Sequence, residues 1–238
     1  MNLLLPQDKR ANNPGDTKAM VGSRRRLLDA GLGERLLEGL AAALAKIPIP
    51  RGARVLDVGC GDGFYLAALV NRFGLEGYGV DISTAAVDAA AQRYPGPRWI
   101  AANGDRRLPF ADQTLDCILS ITARKNPEEF KRLLKPGGRL LLAVPADDDL
   151  AELRQAVLGQ ATAKDRVRLT TEAFEENFVL ESHETARLAV YLDQPALLDL
   201  LLVTYRGARF SAAAGAAALK PLTVTSAAEL LCFKLKSA

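Results

Sequence analysis

At 238 residues, 49% apolar and 25% charged, the chain has the length for one large or two small domains and the balance of a globular fold. No apolar run is long enough to cross a bilayer and the N-terminus lacks the order of regions of a signal peptide, so the cytoplasm is the expected compartment. The three cysteines, Cys60, Cys117 and Cys232, stand far apart, and His183 is the sole histidine; a zinc site of ordinary Cys/His spacing is excluded and no metal is expected. A net charge of +3 argues for no particular partner, but residues 1–26 gather six basic side chains against Asp8 and Asp16. A solvated face and a grip on an RNA backbone are both readings of that run.

Residues 1–19 read as irregular, with a turn signal at Asn12-Asn13-Pro14-Gly15-Asp16. Asp16 or Thr17 can cap a helix that runs to about Asp29 and is broken by Gly31 and Gly33. A second helix is predicted from Glu34 to Lys46, stopped by Pro48 and Pro50. From Arg54 strand and helix alternate: strands over Arg54–Val58, Glu76–Val80, Arg98–Ala101, Leu115–Ile121 and Arg139–Val144, with helices over Phe64–Phe73, Thr84–Arg93 and Pro127–Leu134. That alternation predicts an α/β fold, a mostly parallel sheet with helices on both faces and ligands at the carboxyl ends of its strands. Beyond it, helices are expected over Leu150–Gln160, Thr170–Asn177 and Pro195–Leu202, and a strand over Phe178–Ser182. Ser211–Leu219 is expected as a helix or a loose surface segment. Leu222–Ser226 and Glu229–Leu235 are expected as the arms of a closing antiparallel hairpin.

The first strand enters Gly59-Cys60-Gly61-Asp62-Gly63, three glycines at alternate positions before a helix. A dinucleotide fingerprint reads G-x-G-x-x-G; here the third glycine is one position early and Phe64 takes its place. The Lys-Ser/Thr pair of a phosphate loop is also missing. Asp81 ends the second strand, where a carboxylate can accept from both ribose hydroxyls. Asp105, beside Gly104 after the third strand, is placed to accept from an adenine amino group, with Leu108-Pro109-Phe110 near the ring. Asp57 is expected to orient the glycine loop or to reach a ligand's amine through water.

The G-x-G-x-G loop, the acidic end of strand two, Gly104-Asp105-x-x-Leu108-Pro109-Phe110 and Lys135-Pro136-Gly137-Gly138 together resemble the class I S-adenosylmethionine-dependent methyltransferases over residues 52–145. Pro14-Gly15-Asp16, Arg24-Arg25 through Leu28-Asp29-Ala30-Gly31 and Ala89-Ala90-Ala91-Gln92-Arg93-Tyr94-Pro95 extend the resemblance to the bacterial 23S rRNA (guanine-N1) methyltransferases. The family's N-terminal Cys/His zinc module is not part of this chain, and its His-Tyr after the first helix is replaced by Leu32-Gly33. The resemblance implies a Rossmann-like fold in which residues 1–50 form a helical extension capping the substrate side and residues 51–238 bind S-adenosylmethionine. The implied cofactor set is Asp57, Gly59, Cys60, Gly61, Gly63, Asp81, Ile82, Gly104, Asp105, Arg106, Ser120 and Arg24. The implied substrate contacts are Lys9, Arg10 and Arg25, with Asp16 as a weak candidate for the base. The expected activity is methyl transfer to a guanine of 23S rRNA. Alternatives are a small-molecule acceptor and a non-catalytic cofactor- or RNA-binding relative; a homodimer is also allowed.

Overall fold

The structure is a computed structural model that describes residues 1–5, 7–8, 15–159, 165–204 and 219–236. Its elements are α1 (Lys18–Asp29), α2 (Glu34–Ala45), β1 (Arg54–Val58), α3 (Phe64–Phe73), β2 (Glu76–Asp81), α4 (Thr84–Arg93), β3 (Arg98–Ala101), β4 (Leu115–Ile121), α5 (Pro127–Leu133), β5 (Leu134–Pro145), α6 (Ala151–Leu158), α7 (Arg166–Phe174), β6 (Phe178–Leu192), α8 (Gln194–Val203) and β7 (Leu222–Leu235). They form one seven-stranded sheet in the order β3-β2-β1-β4-β5-β7-β6. The first five strands pair in parallel, and β7 runs antiparallel between β5 and β6. The order reverses between β1 and β4, so a crevice opens there above the strand ends.

Both faces of the sheet are covered, which is why its central strands read as apolar runs and not as alternation. Val55, Leu119, Leu141 and Leu230 join α2 and α3 through Leu40, Leu44, Leu66 and Leu69 in one core. Leu56, Ile118, Leu140 and Leu231 face α5 and α7 through Phe130, Leu133 and Phe174 in the other. A third cluster holds the two ends of the chain together, with Leu27 of α1 against Leu197 and Leu200 of α8. It is reinforced by Ser23 Oγ, which donates to Asp199 Oδ1 at 2.8 Å, and by Arg26, whose Nε and Nη2 reach the same carboxylate at 2.7 and 2.6 Å. Helix starts follow local capping: Thr17 Oγ1 accepts from the Met20 N–H and Ser83 Oγ from the Ala86 N–H.

The antiparallel C-terminal pair is present, but its arms are β6 and β7. The two arms expected over Leu222–Ser226 and Glu229–Leu235 are one continuous strand. Between them stand only Ala227 and Ala228, which lack the turn chemistry that reverses a chain, and Ala228 pairs with Pro145 on one side and Ala186 on the other. The strand expected over Phe178–Ser182 runs on to Leu192, because its polar residues line a face that stays half open to solvent. The helix expected from Thr170 starts at Arg166, capped by Asp165, whose carboxylate accepts from the Arg168 N–H at 2.9 Å; Thr170 is buried inside it. Apart from Leu219, the alanine-rich stretch from Ser211 lies outside the described residues.

Candidate functional site

The loop after β1 turns sharply onto α3. The Gly59 and Cys60 N–H groups both donate to the carbonyl of Val80, at 2.8 and 3.0 Å, which ties the loop to the end of β2. Gly59 and Gly63 each have φ of +83°, and a Cβ would lie 2.3 Å from Ala123 Cβ at the first and 2.5 Å from Trp99 Cη2 at the second. Both positions thus require glycine by conformation and by space. Gly61 faces the cleft, and its N–H donates to Asp81 Oδ2 at 2.9 Å.

Around this loop opens a cleft of about 710 Å³. Its floor is rich in carboxylates. Asp57 is 1% exposed, and its Oδ1 has no hydrogen-bond partner among the described residues. Burial, helped by the nearby Asp81 charge, pushes its pKa up to about 8. Asp81 holds its loop by accepting from Ser83 N–H at 2.8 Å and from Gly61 N–H; burial still raises its pKa against those two bonds. Asp62 is buried with Oδ2 unpartnered among the described residues, and burial raises it as well, against the pull of Arg24. Arg24 itself pairs with Asp16 at the cleft wall, and the Asp16 carbonyl accepts from Ser83 Oγ at 2.5 Å. Two orphaned buried oxygens are costly unless a ligand supplies donors or positive charge. S-adenosylmethionine fits that demand, with an ammonium, ribose hydroxyls and a sulfonium to set against carboxylates, and a glycine loop that leaves room for it.

The opposite wall comes from later in the chain. Asp149 and Leu150 follow β5, Leu200 and Val203 belong to α8, and Ser226 to β7. Asp149 Oδ1 accepts from the Ala227 N–H at 2.9 Å, and burial pushes its pKa up to about 6. Between the two walls, Thr122 stands at φ +52° after β4, and Arg124 reaches across to Asp105 at 3.3 Å.

The cleft therefore gathers Asp57, Gly59, Cys60, Gly61, Asp81 and Ile82, and from other segments Asp16, Arg24, Gly104 and Asp105. Gly63 lies behind the loop against Trp99. Ser120 is buried beneath, its Oγ donating to the Arg124 carbonyl at 3.3 Å. Arg106 turns to Asp8 at 2.9 Å, and Arg25 donates to the Ala89 carbonyl on α4 at 3.3 Å. Phe110 packs edge-on against Tyr78, with ring centres 5.3 Å apart, and Leu108 is in the core. Lys9 and Arg10 lie outside the described residues. His183 sits on β6, with Nε2 2.8 Å from Glu229 Oε2. Asp62, Tyr65, Asp149 and Ser226 line the cleft without having been singled out from sequence. Asp62 had a signal, an acid inside the glycine loop. Asp149 had none, because Asp147-Asp148-Asp149 reads as a solvated run until β7 pairs beside it.

A strand order of 3-2-1-4-5-7-6 with a glycine loop and an acidic β2 end at the switch point defines a class I S-adenosylmethionine-dependent methyltransferase, and S-adenosylmethionine is its cofactor. Residues 55–138 match a family model described as a methyltransferase domain. The chain is 36% identical over 201 residues, 83% of its length and 70% of the relative's, to the "23S rRNA (guanine(748)-N(1))-methyltransferase" of Streptomyces fradiae. It is 30% identical, across 93% of its length and 81% of the relative's, to the "Putative 23S rRNA (guanine-N(1)-)-methyltransferase" of Micromonospora griseorubida. It belongs to the methyltransferase family of which these proteins are members. The same fold, with a TM-score of 0.60 and 22% identity over 93% of this chain and 97% of the other, occurs in a structure described as a "Complex between the Haloferax volcanii Trm112 methyltransferase activator and the putative methyltransferase".

Proposed function

We propose that the protein transfers a methyl group to N1 of a guanine in 23S rRNA. The observation that carries this reading is the 36% identity, across 83% of the chain, to a protein named for that reaction. Such a substrate places the enzyme in the cytoplasm.

The cofactor supplies an electrophilic methyl group on sulfur, and transfer is an in-line displacement in which the protein aligns the reactants and excludes water. On this reading Asp81 holds the ribose hydroxyls, while Asp57, Asp62 and Arg24 face the amino-acid end. With the adenosyl group on the β2–β3 side, the wall of Asp149, Leu150, Leu200, Val203 and Ser226 is left for the acceptor. Guanine N1 carries a proton at neutral pH, and Asp149 is the carboxylate on that wall able to take it, at a pKa of about 6. Within the N-terminal extension α1 serves as the cap on that side, since it is locked to α8 by Asp199.

The test is incubation with methyl-labelled S-adenosylmethionine and either a 23S rRNA transcript or a small-molecule extract, followed by nuclease digestion and mass spectrometry. The expected product is 1-methylguanosine. Label confined to the small-molecule fraction would overturn the reading.

A further inference from the structure

A second groove, of about 430 Å³, lies on the far side of the β4–α5 loop, between that loop, the end of β5 and α7. It shares Thr122 and Ala123 with the cofactor cleft, so the two cavities flank the same loop. Its polar lining includes Lys125 and Arg166, and its apolar lining Val144, Pro145 and Leu169, the last an exposed leucine. Among the described residues neither cation makes a hydrogen bond, and neither has a carboxylate oxygen within 4 Å. Arg166 Nη1 is sealed from solvent with no partner. The two positive charges act on each other: burial, and then the Arg166 charge, hold the Lys125 ammonium below its ordinary pKa.

This arrangement is unlike the rest of the surface. Two residues along the same helix, Arg168 is paired with both Asp165 and Glu172. Arg124, next to Lys125, is paired with Asp105. The Arg166 charge acts at longer range on Asp149, which accepts from the Ala227 N–H inside the cofactor cleft. The residues outside the description carry no aspartate or glutamate side chain. Two adjacent, partly desolvated cations with no carboxylate in ion-pair contact among the described residues are unfavourable alone and favourable around one anion that both can reach.

We propose that Lys125 and Arg166 form a phosphate-binding subsite that holds a backbone phosphodiester of the acceptor RNA beside the methyl-transfer cleft. The Arg166 guanidinium offers directed donors and Lys125 a point charge, the two usual ways of holding a phosphate. The phosphate chemistry stands on the groove itself; its assignment to RNA rests on the function proposed above.

The experiment uses the full chain. Binding of a fluorescein-labelled 23S rRNA transcript is measured by anisotropy across a salt series, and binding of inorganic phosphate by phosphorus NMR. Both are applied to the wild type, to Lys125→Ala/Arg166→Ala and to Lys125→Arg. The double variant is expected to bind RNA about 10- to 100-fold more weakly, the range implied by losing charged hydrogen bonds. Its log–log salt slope is expected to be shallower by about one, as for one lost phosphate contact. Inorganic phosphate binding disappears in the double variant and persists in Lys125→Arg, while S-adenosylmethionine affinity and melting temperature stay at wild-type values. A double variant that keeps wild-type RNA affinity, salt slope and phosphate binding overturns the proposal. If the wild type ignores RNA but loses phosphate binding in the double variant, the subsite stands as one for a phosphorylated small acceptor, and the RNA reading falls.

Discussion

The two halves of the cleft are built by different means. On the β1–β2–β3 side the wall residues are held by bonds between two successive strand–turn–helix units whose parallel strands lie side by side. Gly59 and Cys60 hang from Val80, Gly61 from Asp81, and Asp81 from Ser83. On the β5–β7–β6 side the wall is assembled from segments far apart in sequence: Asp149 is fixed by Ala227, and Glu152 by the N–H and hydroxyl of Thr225, at 2.9 and 2.7 Å. α8 is fixed by α1, at the other end of the chain. The first kind of wall keeps one ligand in one pose through local geometry. The second can change its lining by substitution without disturbing a turn, which suits a family whose members share a cofactor and differ in acceptor.

That division can be broken by experiment. Asp149→Asn is expected to have the largest effect on turnover, lowering kcat by about 10²- to 10⁴-fold as for the loss of a general base. The limb of the pH–rate profile near 6 should vanish with it, and calorimetry should find S-adenosylmethionine affinity unchanged. Loss of cofactor affinity in parallel with kcat would erase the distinction between the walls. Gly63→Val puts a branched side chain at φ +83° and into the Trp99 ring. It should cost about 2–5 kcal/mol of stability, read from denaturant melts, and abolish cofactor binding. Asp81→Ala should weaken cofactor binding by about 1–3 kcal/mol by calorimetry, with turnover at saturating cofactor much less affected.

The most gradual effect, unit by unit, is on stability against pH. Burial raises Asp57 to a pKa of about 8, so between about pH 4 and 8 the folded chain keeps a proton that the unfolded chain has released. The folded state therefore binds more protons in that window, and ligand-free stability should fall as pH rises through it. Asp62 and Asp81 shift the same way. Asp57→Asn should make the decline shallower by at most about 1.4 kcal/mol per pH unit, followed by melting temperature across buffers.

The same asymmetry governs how much could be read from the residues alone. From Arg54 to Leu133 the strand and helix limits agree with expectation to within a residue, because glycines, caps and buried apolar runs mark each boundary. The positions of the loop glycines and Asp81 at the strand ends are legible for the same reason: each sits at one of those marked boundaries. What escaped depends on pairing at long range. β6 hides its length behind Glu181, His183, Glu184 and Arg187, and Ala227-Ala228 looks like a pause in β7 until β5 and β6 pair on either side of it. Asp149 escaped with them. Lys125 and Arg166 are 41 positions apart in sequence, and only the packing of α7 beside β5 brings them to one groove.

Trp99 is the chain's single tryptophan, and it is 6% exposed. Its ring fills the space that a side chain at Gly63 or Gly79 would need, and its Nε1 donates to the Tyr94 carbonyl at 2.7 Å. The protein therefore carries a built-in optical gauge directly behind its glycine turn. Intrinsic emission, free of any second indole, gives a label-free signal for whether that turn is seated, loosened or displaced.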